Sequence, residues 1–219
     1  MNRKILMFLA MCLTALIFTG CGQANRADPL QQARDAAAAG NSPDFAALRE
    51  QKPGAVAWLS IPGAGISEPV TLWREGPAPE DSLYVQAEYN GPDFNAPVTV
   101  VYGSLSNDGS LYGTLQRSFT EDGSLQKCGR ITVYTPEKVL QYRAFGATLY
   151  NNNHLLRTYE AEQIPQLLDS VRHYHVMSRQ WDDAVPYSEG DSLLILSAHA
   201  AHSDDMRYLV LAKLADEAG

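Results

Sequence analysis

Short runs of β-branched, aromatic and other apolar residues, separated by turn signals, dominate the chain from residue 56 onward. Seven such runs cover residues 56–61, 70–73, 98–102, 130–134, 139–149, 193–197 and 208–214. The residue types between them favour tight turns, as in Pro62-Gly63, Asn107-Asp108-Gly109, Glu121-Asp122-Gly123 and Glu189-Gly190-Asp191. Many short strands broken by turns indicate a mainly β domain, either a barrel or a sandwich.

Short helices are also predicted. Apolar residues recur at helical spacing in two sets, Leu111, Leu115 and Phe119, and Ile164, Leu167, Leu168 and Val171. Ser42-Pro43 resembles a helix start, with a capping serine and a first-turn proline, and Pro53-Gly54 would end that helix. We expect these helices to pack on the outside of the β domain.

The first twenty residues have the composition of an export signal. Residues 1–4 are a short basic start, and residues 5–20 contain no charge, a run too short for a comfortable membrane span. The run ends in Phe18-Thr19-Gly20-Cys21, which resembles the lipobox of bacterial lipoproteins. That resemblance implies a signal peptide over 1–20, lipidation of Cys21, and a location on the outer face of the bacterial cytoplasmic membrane. An ordinary secreted protein or an uncleaved anchor is the alternative.

The next segment has almost no large apolar side chain. Residues 22–41 are mostly Ala, Gln, Asn and Asp, so we expect residues 21–41 to be a flexible tether that does not pack. One domain should then cover residues 42–215, followed by a tail over 216–219. With 45% hydrophobic residues in the whole chain, a domain of this length can bury a substantial core.

Charge and cysteine content exclude some classes of function. Arg3 and Lys4 lie in the leader, so the rest of the chain carries 15 basic and 25 acidic residues, a balance of −10. Such a surface argues against nucleic acid as a partner. The cysteines are Cys12, Cys21 and Cys128. If the first is removed with the leader and the second carries lipid, Cys128 is the only thiol and no disulfide can form.

Several segments occur in the order of one known family. They read GAVAWLSIPG over residues 54–63, VTVVYG over 98–103, DGSLYGTL over 108–115 and LILS over 194–197, followed by Arg207 and the run 208–214. In this order they resemble the class B sortases, the cysteine transpeptidases that join surface proteins to the bacterial cell wall. Collinear motifs are more specific than any one of them. The resemblance implies a mainly β, sortase-like β-barrel with short peripheral helices.

The resemblance also implies where a catalytic centre would lie. A sortase needs a cysteine thiolate as nucleophile, a histidine that protonates the leaving amine, and an arginine that stabilises the oxyanion. In this chain Ser104 stands at the histidine position, His199 at the cysteine position, and Arg207 at the arginine position. Cys128 precedes a different strand and has no counterpart in the motif. No cofactor is predicted.

Three functions stay open at this point. The first is a pseudo-enzyme that binds an extended peptide, such as a sorting-signal-like segment or another cell-wall component. The second is a hydrolase or acyltransferase in which Ser104 attacks, His199 is the general base, Arg207 stabilises the oxyanion, and Asp204 or Asp205 orients the base. The third is a purely structural accessory of a surface-protein assembly.

Other side chains are candidates for a groove or a metal site. If the family groove still binds peptide, we expect four residues near its floor, although core packing is the default for each: Tyr102, Leu111, Tyr112 and Tyr208. His199-Ala200-Ala201-His202, with the acidic residues that follow, is only a weak metal motif without a third ligand, so no metal site is predicted. His154 follows three asparagines and is interpreted as a turn residue.

Overall fold

The computed structural model describes residues 28–79, 82–103, 113–201 and 203–218. The strands in these residues are β1 (Ala55–Ile61), β2 (Ile66–Trp73), β3 (Leu83–Gln86), β4 (Val98–Gly103), β5 (Arg130–Tyr134), β6 (Val139–Asn151), β7 (Gln180–Trp181), β8 (Leu193–Ala200) and β9 (Ser203–Ala218). The α-helices are α1 (Pro29–Ala38), α2 (Phe45–Gln51), α3 (Gly113–Phe119), α4 (Ser124–Cys128), α5 (Leu155–Thr158) and α6 (Ile164–Tyr174).

Eight of the strands form a closed barrel. Their order is β5-β1-β2-β3-β4-β8-β9-β6, and a further β5–β6 pairing closes the ring. The short strand β7 also pairs with β6. The β2–β3 and β4–β8 pairs are parallel, and the other pairs are antiparallel. A barrel of eight strands has an interior that side chains can fill. The predicted mainly β barrel with short peripheral helices is therefore confirmed, and a sandwich is excluded.

Successive residues of each strand face opposite sides of the barrel wall. Leu196 on β8 and Val210 on β9 belong to the cluster that fills the interior. Their neighbours Ile195 and Leu209 face outward and pack with Leu167 of α6. This alternation decides which side chains of β8 and β9 can reach a groove on the outer face.

The predicted helices are present, with one corrected boundary. Leu115 and Phe119 are fully buried in α3, and the apolar stripe predicted over residues 164–171 is buried in α6. Asp44, not Ser42, caps α2, because its Oδ1 accepts hydrogen bonds from the backbone amides of residues 46 and 47 at 2.9 and 3.1 Å. A side-chain oxygen at this position satisfies first-turn amides that have no partner within the helix.

The prediction that residues 21–41 form an unpacked tether is wrong for residues 29–38. These residues form α1, in which Ala33 and Ala37 are buried at 2% and 5% exposure. They pack in a cluster with Trp58 of β1. Tyr134 also donates a hydrogen bond from its hydroxyl to the carbonyl oxygen of Ala37 at 3.2 Å. Small side chains allow the helix backbone to approach the barrel closely, so large apolar residues are not needed.

The predicted C-terminal tail is also corrected. Strand β9 continues to Ala218 and pairs with residues 139–141 of β6 at this end, so residues 216–218 belong to the barrel. The predicted leader, residues 1–20, and the lipidation site Cys21 lie outside the described residues. Among those that are described, no helix combines the length and apolarity needed to cross a bilayer.

Candidate functional site

The β8–β9 hairpin brings two of the predicted site residues together. His199 and Arg207 are directly opposite each other in this antiparallel pair, and side chains paired in this way lie on the same face of a sheet. Arg207 Nη1 is 3.4 Å from His199 Nε2. Because Leu209, two residues further along β9, packs outward, both side chains lie on the outer face of the barrel.

The guanidinium of Arg207 is held by the barrel wall. Its Nε donates to Ser197 Oγ at 2.6 Å, and Nη2 donates to the carbonyl oxygens of Ser197 at 2.7 Å and of Gly103 at 3.4 Å. Ser197 is completely buried. Charge-assisted bonds to fixed acceptors are strong and directional, so Arg207 is oriented by β4 and β8 as well as by its own strand.

The contact with Arg207 restricts the chemistry of His199. A guanidinium has only donors, so the contact is a hydrogen bond only when His199 Nε2 carries a lone pair. In that arrangement the lone pair of Nε2 faces Arg207, so this nitrogen does not face a hydroxyl that it could deprotonate.

Tyr102 lies beside Arg207, where the sequence places the groove floor. The guanidinium carbon of Arg207 is 5.5 Å from the Tyr102 ring centroid. The Tyr102 ring stacks on Tyr84 with centroids 5.5 Å apart, and Tyr84 meets the edge of Trp73 at 5.8 Å. Burial raises the pKa of the Tyr102 hydroxyl, and the charge of Arg207 opposes this only in part. The hydroxyl therefore stays neutral, and it has no hydrogen-bond partner among the described residues.

His154 is a site residue that the sequence interpretation missed. Its ring lies 5.8 Å from the ring centroid of Tyr102 and 5.1 Å from that of Tyr89. Its Nδ1 accepts from the backbone amide of Arg157 at 3.2 Å, and its Nε2 contacts Gln86 Oε1. Burial lowers the pKa of His154, and the charge of Arg157 lowers it further. No local motif signals this position, because its partners on β3 and β4 are distant in sequence.

Tyr208 does not line the outer groove, so that prediction is wrong. It is completely buried in the barrel interior, and burial raises its pKa to about 12. The reason is strand alternation, since Tyr208 directly follows Arg207, which faces outward.

Other predicted site residues cannot be placed. Ser104, Leu111 and Tyr112 lie outside the described residues, so the proposed Ser104–His199 pair has no described geometry. The same holds for the side chain of Asp204. Asp205 is exposed, and its backbone carbonyl accepts a hydrogen bond from the amide of Asn152 at 3.1 Å.

The thiol of Cys128 is buried, and the weak metal motif is described only in part. Cys128 is 3% exposed at the end of α4, and its Sγ donates to the carbonyl oxygen of Gly63 at 3.1 Å. Within the described ranges, no three His, Cys, Asp or Glu side chains come together as a metal site. His202 lies outside those ranges.

Solved structures of class B sortases share this fold. Sortase B from Clostridium perfringens has a TM-score of 0.65 and 17% identity, over 79% of this chain and 100% of that one. Sortase B from Staphylococcus aureus complexed with MTSET has a TM-score of 0.66 and 17% identity, over 87% and 85% of the two chains. Sortase B from the type II pilus of Streptococcus pneumoniae has a TM-score of 0.64 and 18% identity, over 79% and 99%.

These likenesses define the class of fold. The chain has the class B sortase fold, which confirms the structural part of the resemblance seen in the sequence. No family model and no curated protein matches the sequence. Because fold does not imply function, the activity has to be argued from the side chains around Arg207.

Proposed function

We propose that this protein is an extracytoplasmic, membrane-tethered class B sortase-like protein that binds an extended peptide without cysteine transpeptidation. The observation that carries this proposal is the identity of the residue opposite Arg207. An imidazole, that of His199, is placed there at 3.4 Å, and without a thiolate no thioester can form. The buried thiol of Cys128 cannot substitute, because a nucleophile must reach its substrate.

Peptide binding is supported by the side chains around Arg207. Tyr84 and His154 are half-buried, and the ring of each contacts that of Tyr102. Aromatic residues combined with arginine are enriched where proteins bind partners. A sorting-signal-like segment or another peptide of the cell wall fits this chemistry, and lipid on Cys21 would keep the domain at the outer membrane face.

The hydrolase alternative is less well supported. It requires that a lone pair of His199 faces the Ser104 hydroxyl, and the Nε2 atom, at 3.4 Å from an Arg207 guanidinium nitrogen, is not oriented for that role. A fluorophosphonate probe tests this directly, because it labels activated serines. We expect no labelling of the folded protein, and labelling that Ser104→Ala abolishes would contradict the proposal.

Peptide binding is tested by fluorescence anisotropy with a panel of labelled sorting-signal-like peptides. We expect saturable binding that Tyr84→Ala weakens roughly three- to tenfold, the loss typical of one aromatic contact. Tyr174→Ala, at a tyrosine that is 46% exposed, is the matched control and should leave affinity unchanged. With an acceptor amine present, mass spectrometry should detect no transpeptidation product. If no peptide binds, the protein is better described as a structural accessory.

A further inference from the structure

Three adjoining cavities lie outside the barrel along α6. Their volumes are about 360, 430 and 300 Å³. Pro165 and Tyr187 line both the first and the second cavity, and Pro97 and Ile164 line both the second and the third. The shared walls join the cavities into one depression, which we call the α6 trench.

Carboxylates dominate the charged groups of the α6 trench. Four line the first cavity, two further ones line the second, and one lines the third, against a single cationic lining residue, Arg172, in the part of the chain described. Glu162 and Glu189 are exposed, and neither side chain has a hydrogen bond or ion pair with another described residue. The trench therefore carries negative charge that the described residues do not neutralise.

The α6 trench already binds cations of its own chain. The guanidinium carbon of Arg172 is 5.1 Å from the Trp181 ring centroid, and its Nη2 is 2.9 Å from Asp183 Oδ1. An aromatic face combined with a carboxylate is a favourable site for a guanidinium. In the segment between β7 and β8, two groups bind a lysine. Lys213 Nζ donates to the carbonyl oxygen of Pro186 at 2.7 Å and to Asp191 Oδ2 at 3.3 Å.

We propose that the α6 trench is a docking surface for a basic, extended segment of a partner protein, rich in arginine or lysine. Charge complementarity identifies this occupant, because opposite charges steer association and like charges disfavour it. The apolar walls contributed by Pro97, Pro165 and Tyr187 suit the backbone and the aliphatic stems of such a segment. The third cavity shares Tyr89 with the aromatic group beside Arg207, but the proposal does not depend on what binds at Arg207.

The test uses fluorescence anisotropy with a fluorescein-labelled peptide of alternating Arg and Ser. We expect saturable binding that weakens with added salt, since exposed charges are screened, and no binding of the matching Glu-Ser peptide. The double variant Glu162→Gln/Glu189→Gln should weaken binding roughly three- to tenfold. Glu121→Gln/Glu137→Gln changes net charge equally at exposed positions elsewhere and should leave affinity unchanged.

A second variant tests the site in the trench that the guanidinium of Arg172 occupies. Arg172→Gln removes the internal guanidinium from Trp181 and Asp183, so the Arg-Ser peptide should bind a few-fold more tightly. Arg117→Gln removes an exposed cation elsewhere and is its control. The proposal is overturned if both glutamate double variants weaken binding equally, if neither arginine variant tightens it, or if no saturable binding occurs. Self-association that Glu162→Gln/Glu189→Gln abolishes would also overturn it, by making a second copy of the chain the occupant.

Discussion

His154 connects the loop after β6 to the aromatic side chains beside Arg207. It is the N-cap of α5 through Nδ1, and its ring contacts those of Tyr89 and Tyr102. One side chain thus stabilises a helix start and forms part of the candidate site. Both roles need the neutral imidazole, because a protonated ring has no lone pair to cap the helix.

The lowered pKa of His154 predicts a pH dependence of stability. In the unfolded chain the histidine titrates at 6.5, and in the folded chain at a lower pH. Between these values the unfolded state binds more protons, so this contribution is complete above pH 6.5 and is lost as pH falls through the folded pKa. We therefore expect the free energy of unfolding to decrease on acidification.

Urea unfolding at about pH 7.5 and about pH 5.5 measures this contribution. His154→Asn is the informative variant, because asparagine keeps an N-cap acceptor but does not titrate. The wild type should lose more stability than the variant over this interval. Equal losses would mean that protonation of His154 is not coupled to folding.

Asn90 completes the hydrogen bonding of β4 on the side of that strand that faces β3, where residues 98–100 have no strand partner. It is 1% exposed, its Nδ2 donates to the carbonyl oxygen of Val98 at 2.8 Å, and its Oδ1 accepts from the amide of Val100 at 3.2 Å. Strand β3 pairs with β4 only at residues 102 and 103. The amide side chain therefore replaces a missing strand neighbour.

Replacing Asn90 should be costly. In Asn90→Ala, two buried backbone groups lose their partners, at about 1–3 kcal/mol each. We expect a correspondingly lower midpoint in chemical unfolding, with little change in slope. Asn153→Ala, at an exposed asparagine, is the control. A decrease no larger than that of the control would show that water satisfies these groups.

At the scale of elements, α1 shows how a helix of small residues can dock. Ala33 and Ala37 form its buried side, and Arg34 pairs with Glu68 of β2 at 3.1 Å. An ion pair that is still partly open to solvent adds little stability, so close packing of the alanines is the main contact of the helix. The element extends the domain toward the N-terminus, to within a few residues of Cys21.

A larger side chain on the buried face of α1 should detach the helix from the barrel. Ala33→Gln places a polar side chain where there is no space, and overpacking of this kind costs about 1–3 kcal/mol. Hydrogen exchange should increase at the amides of residues 32–38 but stay unchanged in β8 and β9. Ala38→Gln, at an exposed position, should leave exchange unaltered. Unchanged protection in Ala33→Gln would contradict this account of docking.

At the scale of the whole molecule, barrel closure places residue 199 on the outer face and Cys128 beneath the surface. A thiol introduced by His199→Cys would lie opposite Arg207, whose positive charge favours the reactive thiolate. We expect iodoacetamide to modify this position in the folded protein, and Cys128 only after denaturation. Peptide mass spectrometry distinguishes the two sites, and the wild type is the control that lacks the introduced thiol. Equal modification of both thiols would contradict the described burial.

Much of the barrel could be predicted from local patterns, because long strands show their apolar residues directly. The strands that were missed are β3 and β7, which contain four and two residues. Segments this short have no measurable periodicity. They are strands because they pair with strands that are distant in sequence. The tether prediction failed at α1 for a related reason. The alanine-rich composition of this segment does not reveal that the barrel has a surface on which a helix of small residues can pack.

The sequence by itself determined the chemistry that is present: an imidazole at His199, a guanidinium at Arg207 and, within residues 22–219, a thiol only at Cys128. The resemblance to class B sortases implied that the first two belong to one site. Only the tertiary structure decided that these two side chains touch, that Tyr208 faces the interior, and that His154 reaches Tyr102. Local patterns record burial along one segment, whereas contacts between segments depend on the register in which the barrel closes.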